Sequence, residues 1–424
     1  MAVVQFPYEG FEPASVPDSN LIGVFERAPT ADAGDPAQIV RASLDQPFGP
    51  SLEELVQPGM RVLIIVDDVT RSTRADIILP VVLNALERRV NPAQISFLMA
   101  LGTHRPMTAA EISAKVGSEV AASHEIKNHQ WREPSALEAI AETDSGIEVL
   151  VNRALRQADM VLGIGHIAPH SVCGFGGGGK IILPGVTGQE TTFRMHELAR
   201  SLDVRNLRGS VDNAVRREID KIGQIAGLRF VVNVVQDESD RIVACFSGHP
   251  VDAHRAGCST SITVHGTPVH RQADIVIIDS HPADIDLWQG WKAIAAADLA
   301  VREGGVVILV TPCPDGVSPE HPVWLELGHL ADENIQSMID SGQIQDRVGA
   351  AAIIGVRRCT TRFKVILVSP GIGPDDKKRL GLIHADTPAK ALDLAFGICG
   401  GSASVAVLRN GGEVLPIMEE RLSE

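Results

Sequence analysis

Short runs of β-branched and aliphatic residues alternate along this chain with longer stretches of helical period. That pattern predicts α/β units built on largely parallel sheets flanked by helices. Arg61–Asp67 (RVLIIVD) reads as a buried strand leading into a helix over ADIILPVVLNALERR. Ile95–Leu101 (ISFLMAL) is the next strand, and Thr108 with Glu111 three residues later announces the following helix as a capping box. Ala158–Ile164, Arg229–Val235 and Arg241–Phe246 continue the series. A second series runs through Ala273–Asp279, Val306–Thr311, Ala351–Val356 and Lys364–Ser369.

The break between the two series falls near His265–Arg271 (HGTPVHR), where Gly and Pro interrupt the pattern. The expectation is a first α/β domain over 1–268 and a second over 271–400, with the strand Ser404–Leu408 and tail at 401–424 free to join either sheet. At 424 residues, 44% apolar and 21% charged, the chain has the composition of a folded protein and is too long for one core. Lys plus Arg number 38 against 53 Asp plus Glu, a net charge of −15, which argues against non-specific nucleic-acid binding. The six cysteines are scattered without a CxxC pair, fitting neither a disulfide framework nor a zinc knuckle. The N-terminus MAVVQFPYEGFEP lacks a basic and an apolar leader region, and no run of about 18 apolar residues occurs. A cytoplasmic protein without a membrane segment is expected.

Functional groups in such sheets gather at the carboxyl ends of strands, and four of these ends are unusual. After the first strand stands Asp67-Asp68-Val69-Thr70-Arg71-Ser72-Thr73-Arg74. One account is a solvated loop in which Thr70 or Ser72 caps the next helix. The other has Arg71 or Arg74 gripping an anion with its planar fork while Asp68 takes hydroxyl or ring groups. After the second strand comes Gly102-Thr103-His104-Arg105-Pro106, where His104 is held at the sheet edge and suited to acid or base work near neutral pH.

The third end carries most information: IGHIAPH at 164–170, then GFGGGGKIILPGV at 174–186. A glycine tract running into Lys180 and at once into apolar IILPGV does not suit a linker, and implies backbone tucked against a ligand. Gly174 to Lys180 satisfies the phosphate-loop spacing GxxxxGK, yet Ile181 occupies the place of the magnesium-holding Ser or Thr. Lysine in such a cradle neutralises a phosphate or bonds covalently to a cofactor. Fourth, His196 lies inside a helix expected to begin near Gly188. In the second series, Gln289 and Lys292 share a helix face after Asp286, with Trp288 beside them, either packed or facing a pocket. No HExxH or HxH pattern is present, which weakens a zinc hydrolase.

Taken together, DDVTR at 67–71, ALGTHRPMT at 100–108, IGHIAPH…GFGGGGKIILPGV at 164–186, MH at 195–196 and DLWQGWK at 286–292 resemble the nickel-dependent lactate racemase family. Their order and spacing match over most of the chain. The resemblance implies a two-domain α/β fold with the active site in the interdomain cleft and racemisation or epimerisation of a 2-hydroxy acid. It also implies a nickel-pincer nucleotide, a pyridinium mononucleotide with two sulfur arms on nickel, made by separate cofactor-synthesis enzymes. Lys180 resembles the lysine that tethers this cofactor through a thioamide, and His196 the protein ligand to nickel. His104 and His170 resemble the two acid/base histidines on opposite faces of the substrate. Asp68, Thr70, Arg71 and the backbone of Gly177, Gly178 and Gly179 would contact the cofactor. Arg71, Gln289, Lys292 and Trp288 would reach the substrate.

The chemistry explains these residue types. The C2 proton of a 2-hydroxy acid is very weakly acidic, so removing hydride while one histidine takes the hydroxyl proton gives a flat 2-keto acid by an easier route. Hydride then returns to the other face with the second histidine as proton donor. Two segments depart from the commoner family pattern: GFGGGGK stands for GFSGGAK, and Trp131–Asp144 (WREPSALEAIAETD) is helix-like. Two other classes compete with the family reading, a phosphate-loop-like nucleotide hydrolase and a non-catalytic protein that binds an anionic metabolite.

Overall fold

The computed structural model describes residues 1–27, 30, 33–144 and 146–419. Two six-stranded sheets organise it. In the first, the spatial order is Ile242–Gly248, Leu228–Gln236, Met160–His166, Val62–Asp67, Ile95–Ala100 and Glu125–Asn128. All neighbours are parallel except the antiparallel pair at the Ile242–Gly248 edge. The predicted strands are thus present, with Arg241–Phe246 shifted one residue at its start and ending at Gly248.

The strand Val62–Asp67 shows why the sequence folds this way. All its residues are buried, and Val62, Ile64 and Val66 enter one core cluster while Leu63 and Ile65 enter the cluster on the opposite face. A strand covered by helices on both faces needs this continuous apolar run rather than alternation. The helix Ala109–Val116 begins with the predicted capping box: Thr108 Oγ1 accepts from Glu111 N at 3.2 Å, and Thr108 N donates to Glu111 Oε2 at 2.7 Å.

The second sheet runs Ile383–His384, Lys364–Val368, Val301–Val310, Ala273–Asp279, Val405–Leu408 and Leu21–Phe25, every pair parallel. The strand left open in the sequence, Val405–Leu408, therefore belongs here. So does the N-terminus: Leu21–Phe25 pairs with Val405–Leu408, and the hairpin Ala2–Val4/Ala14–Val16 packs on the same core. The first 25 residues, expected in a domain spanning 1–268, thus pack with the second unit.

Two local expectations are corrected. Ala351–Val356 is the middle of a helix, Arg347–Thr360, whose start is capped by Asp346 accepting from Gly349 N at 2.9 Å. Val348, Ala351 and Ile354 bury one face at helical spacing, and the short run AAIIGV by itself carries no period that separates helix from strand. The helix-like segment Trp131–Asp144 forms a short 3-10 turn at Pro134–Ala136 and a strand, Leu137–Glu142, antiparallel to Glu148–Asn152. There cross-strand pairing overrides the helical propensity of Ala and Glu.

In each sheet the connections leave one pair of adjacent strands in opposite directions, and the crevice beyond their carboxyl ends is the position where such folds bind ligands. In the first sheet that pair is Val62–Asp67 with Met160–His166. The chain after His166 returns in a tight hairpin, Pro169–His170 against Gly174–Phe175. Gly174 sits at φ 83°, and a Cβ there would stand 1.9 Å from Ser210 O. Gly174→Ala should therefore destabilise by more than the roughly 1–2 kcal/mol of left-handed strain alone. Gly227→Ala is the reference, since Gly227 has φ 83° and open space. Thermal melting should show the larger loss for Gly174→Ala; equal losses would remove the steric account of the hairpin.

Candidate active site

A cavity of about 570 Å³ lies where the carboxyl ends of the first sheet meet the helix Leu287–Ala297 of the second unit. Asp68, Arg71, His104, His170, Gly177, Lys180, His196, Trp288, Gln289 and Lys292 all line it. Among the predicted site residues, Thr70, Gly178 and Gly179 do not. Thr70 sits behind His104 at a smaller cleft.

Asp68, 2% exposed, organises the floor. Its Oδ2 is 2.6 Å from His104 Nδ1, and its Oδ1 accepts from the Thr70 hydroxyl at 2.6 Å. Burial alone would raise the Asp68 pKa, but His104, Arg71 and Thr70 reverse the effect and hold it well below the carboxylate range. An ionised Asp68 makes Nδ1 of His104 the protonated nitrogen, so the neutral ring turns the Nε2 lone pair outward. Gln289 Nε2 donates to that lone pair at 2.9 Å. Gln289 Oε1 in turn accepts from Lys292 Nζ at 2.6 Å and Arg71 Nη1 at 3.2 Å. Arg71 Nη1 also donates to the Thr70 hydroxyl at 2.8 Å, while its other nitrogens make no hydrogen bond among the described residues. Burial lowers the His104 pKa, with Asp68 opposing, so the ring stays neutral to lower pH than a free histidine.

His170 is held in the opposite state. Its Nδ1 accepts from Val172 N at 3.2 Å, which leaves Nε2 to carry the proton of the neutral ring. Burial first, then the charges of Lys180, Lys292 and Arg71, push its pKa well below 6.5. Burial and Arg71 bring Lys180 down to about 8, and burial with Arg71 and Lys180 holds Lys292 well below its ordinary value. Three cations crowded in one cavity mark a place for anions. His196, on the predicted helix Gln189–Arg200 after Gly188, has its pKa pushed down to about 4 by burial, His321 and Lys180. Neither the His196 ring nor Lys180 Nζ has a hydrogen-bond partner among the described residues. Trp288 stacks on His321 at 4.2 Å and 17°, with its ring 6.3 Å from His196 and 5.1 Å from Trp324. It is packed, as the plainer account had it, and also walls the cavity.

The glycine tract bears on two of the sequence readings. A two-residue strand precedes it and a 3-10 turn, Gly178–Ile181, follows, so the strand–loop–helix of a nucleotide hydrolase is missing. Its backbone is tucked mainly against protein: Cβ atoms on Gly177, Gly178 and Gly179 would meet Ile167 at 2.8 Å, His254 at 3.0 Å and Ile219 O at 2.8 Å. Residues without any motif signal hold it. Arg216, fully buried, donates to Phe175 O and to Gly177 O; Asn233 Oδ1 accepts from Gly178 N at 2.8 Å; His254 Nε2 donates to Gly176 O at 2.9 Å. His321, also unsignalled, bridges Asp346 at 2.9 Å and Thr103 Oγ1 at 2.9 Å.

Fold and site define a two-unit α/β protein with a neutral histidine pair and a cationic cavity at the sheet ends. Family profiles for the lactate racemase N-terminal and C-terminal domains match residues 9–206 and 269–415. The chain belongs to the lactate racemase family, a family of isomerases whose activity depends on nickel. It is 28% identical to the lactate racemase of Thermoanaerobacterium thermosaccharolyticum, over 98% of this chain and 99% of that one. It is 29% identical to the lactate racemase of Lactiplantibacillus plantarum, over 97% and 99%. The structure of the T. thermosaccharolyticum lactate racemase apoprotein superposes with a TM-score of 0.86 at 26% identity, covering 98% of this chain and 100% of that one. A Thermotoga maritima protein shares the fold, with a TM-score of 0.73 at 24% identity, covering 91% and 99%. No helix among the described residues is long and apolar enough to cross a membrane.

Burial lowers His129 to about 4 and His254 well below 6.5, against an ordinary 6.5. Between about pH 6.5 and 4 the unfolded chain binds protons at these rings that the folded chain refuses, so stability rises with pH across that window. Melting temperature should fall as pH drops from 6.5 toward 4 at constant ionic strength, and His129→Gln should flatten the slope. A slope unchanged by that substitution would assign acid lability elsewhere.

Proposed function

We propose that this protein racemises or epimerises a 2-hydroxy acid, with the active site in the cavity between the two units. Lactate is the substrate carried in the names of its relatives, and malate-like, aromatic or sugar acids present the same carboxylate and C2 hydroxyl. The observation that carries the proposal is the pair His104 and His170, presented to one cavity in opposite hydrogen-bonding states beside three half-buried cations.

The residues fit a nickel-pincer nucleotide. Lys180, a half-buried amine brought down to about 8, and His196, a half-buried neutral ring, are respectively a nucleophile and a lone-pair donor without hydrogen-bond partners among the described residues. Lys180 would hold the group covalently and His196 would ligate its nickel, with Asp68, Arg71 and Gly177 beside it and Thr70 supporting Asp68. Loading depends on the enzymes that synthesise it. When bound, it supplies the hydride acceptor for C2.

The chain's own side chains supply the rest. The free nitrogens of Arg71, with Lys292, bind the substrate carboxylate as a cationic clamp while the keto group turns. Gln289 yields its hydrogen bond at His104 Nε2 to the substrate hydroxyl, whose proton His104 accepts with Asp68 stabilising the imidazolium. His170 serves the other face. After burial, the charges of Lys180, Lys292 and Arg71 are what depress it. A covalent bond at Lys180 that removed its charge, with anions on Arg71 and Lys292, would lift that depression and let His170 carry the proton it returns. For the opposite enantiomer the roles reverse.

Protein co-expressed with cofactor-synthesis enzymes should carry a mass adduct and about one nickel per chain, and interconvert the enantiomers of a 2-hydroxy acid. Lys180→Ala should lose the adduct, and His104→Ala or His170→Ala should lose racemisation while keeping it. A loaded wild-type protein that turns over no 2-hydroxy acid would sink the proposal. Separately, Asp68→Asn leaves a neighbour that no longer dictates the His104 tautomer. kcat should drop by roughly 10²–10⁴ with a smaller change in KM; a drop under tenfold would mean that Asp68 serves only the fold.

A further inference from the structure

A second set of ligating groups lies behind the cavity. The carboxyl end of the strand Met160–His166, the last residue of the helix Pro250–His265 and the turn Asn410–Val414 converge there. His166, His265 and Glu413 are buried, at 3%, 0% and 8% exposure, and their ligating atoms lie within 4.8 Å of one another. Glu413 Oε1 is 3.4 Å from His166 Nδ1, and Oε2 is 3.7 Å from His265 Nε2. Neither contact is a hydrogen bond, and His166 Nδ1, His166 Nε2 and His265 Nε2 have no hydrogen-bond partner among the described residues. Buried polar atoms in that state require an explanation.

The surrounding hydrogen bonds decide which lone pairs are free. His265 Nδ1 lies 2.9 Å from the carbonyl oxygen of Ser261, a pure acceptor, so Nδ1 carries the proton and Nε2 turns a lone pair on the Glu413 carboxylate. Two acceptors facing each other out of water repel unless a cation stands between them. Donation of the second ring nitrogen to a backbone carbonyl is also how metal-bound histidines are oriented. Arg27 Nη2 donates to Glu413 Oε2 at 2.6 Å and fixes the carboxylate, leaving Oε1 open toward His166.

We propose that His166, His265 and Glu413 form a binding site for a divalent metal ion of zinc type, distinct from the residues that would hold the nickel nucleotide. Two imidazoles and one carboxylate are a donor set that suits this ion. Tetrahedral bonds of about 2.0–2.2 Å space the donor atoms about 3.3–3.6 Å apart, close to the two measured separations. The fourth position falls to water. Arg27 beside the carboxylate weakens affinity relative to a site without a neighbouring cation. The ion ties His166 and His265, on the first unit, to Glu413, which follows the strand Val405–Leu408 of the second sheet. His166 also lines the main cavity, so the ion would stiffen its rear wall.

The test uses full-length protein made without cofactor-synthesis enzymes, stripped of metal and titrated with Zn²⁺ against a chromophoric chelator. One equivalent should bind per chain, at least tenfold more weakly in Glu413→Gln and His265→Ala, and unchanged in His104→Ala and His196→Ala. Zn²⁺ should raise the melting temperature of the wild type and of His196→Ala but not of Glu413→Gln. If the Glu413 and His265 variants do not fold, Co²⁺ decides: a strong four- or five-coordinate visible spectrum that persists in His196→Ala supports the site. No stoichiometric Zn²⁺, or binding lost in His104→Ala or His196→Ala and kept in Glu413→Gln, overturns it.

Discussion

The site depends on one closed ring of hydrogen bonds whose anchor is the ionised carboxylate of Asp68. From Asp68 the ring passes to His104, to Gln289, to Arg71, to Thr70 and back to Asp68. The ionised Asp68 and the guanidinium of Arg71 fix the direction of the ring: His104 is protonated on Nδ1, Gln289 turns its amide nitrogen toward the imidazole, and Thr70 donates to the carboxylate, while Arg71 Nη1 donates to both Gln289 Oε1 and the Thr70 hydroxyl. A buried network satisfied in this way sets protonation and orientation together. It also crosses from one unit to the other, because Gln289 belongs to the helix Leu287–Ala297.

Much of this was legible in the sequence because the chemistry sits at strand ends and strand ends are easy to find. Asp68, His104 and His170 follow apolar runs whose burial on both faces the composition announces. Thr108 and Glu111 mark their helix by side-chain chemistry that acts within one turn. What was illegible depends on partners remote in the chain. Arg216, Asn233 and His254 hold the glycine tract, yet each lies on an ordinary helix or strand and carries no local mark. Leu21–Phe25 joins a strand some 380 residues later, a pairing that no local period encodes. Ala351–Val356 failed for a different reason. Six apolar residues fit strand and helix equally, and the deciding signal, Asp346 as cap, lay outside the run.

The glycine tract owes its conformation to partners that lie elsewhere in the chain. Its position next to Lys180 led to the idea of backbone pressed on a ligand, whereas the space a side chain would need is mostly filled by Ile167, His254 and Ile219. The glycines let three buried polar residues grip the backbone from behind, and that grip aims Lys180 into the cavity. Gly177 alone of the last three also faces the cavity.

An acidic protein with a cationic cavity places its charges by function rather than by balance. Beyond burial, the charge of Arg71 depresses Lys180 and Lys292, Lys180 also depresses Lys292, and all three depress His170, because the low-dielectric cavity sets too few anions against them. That imbalance disfavours the empty cavity and would be relieved by anionic ligands, so ligand affinity and the acid strength of His170 draw on the same electrostatics. Arg105, which bonds Asp315 at 2.8 Å, and His321, which bonds Thr103 at 2.9 Å, join the units at the cavity rim. A shift of one unit against the other would separate Gln289 from His104 and Arg71 together. The orientation of His104 and the position of Arg71 are therefore one geometric property of the assembled chain.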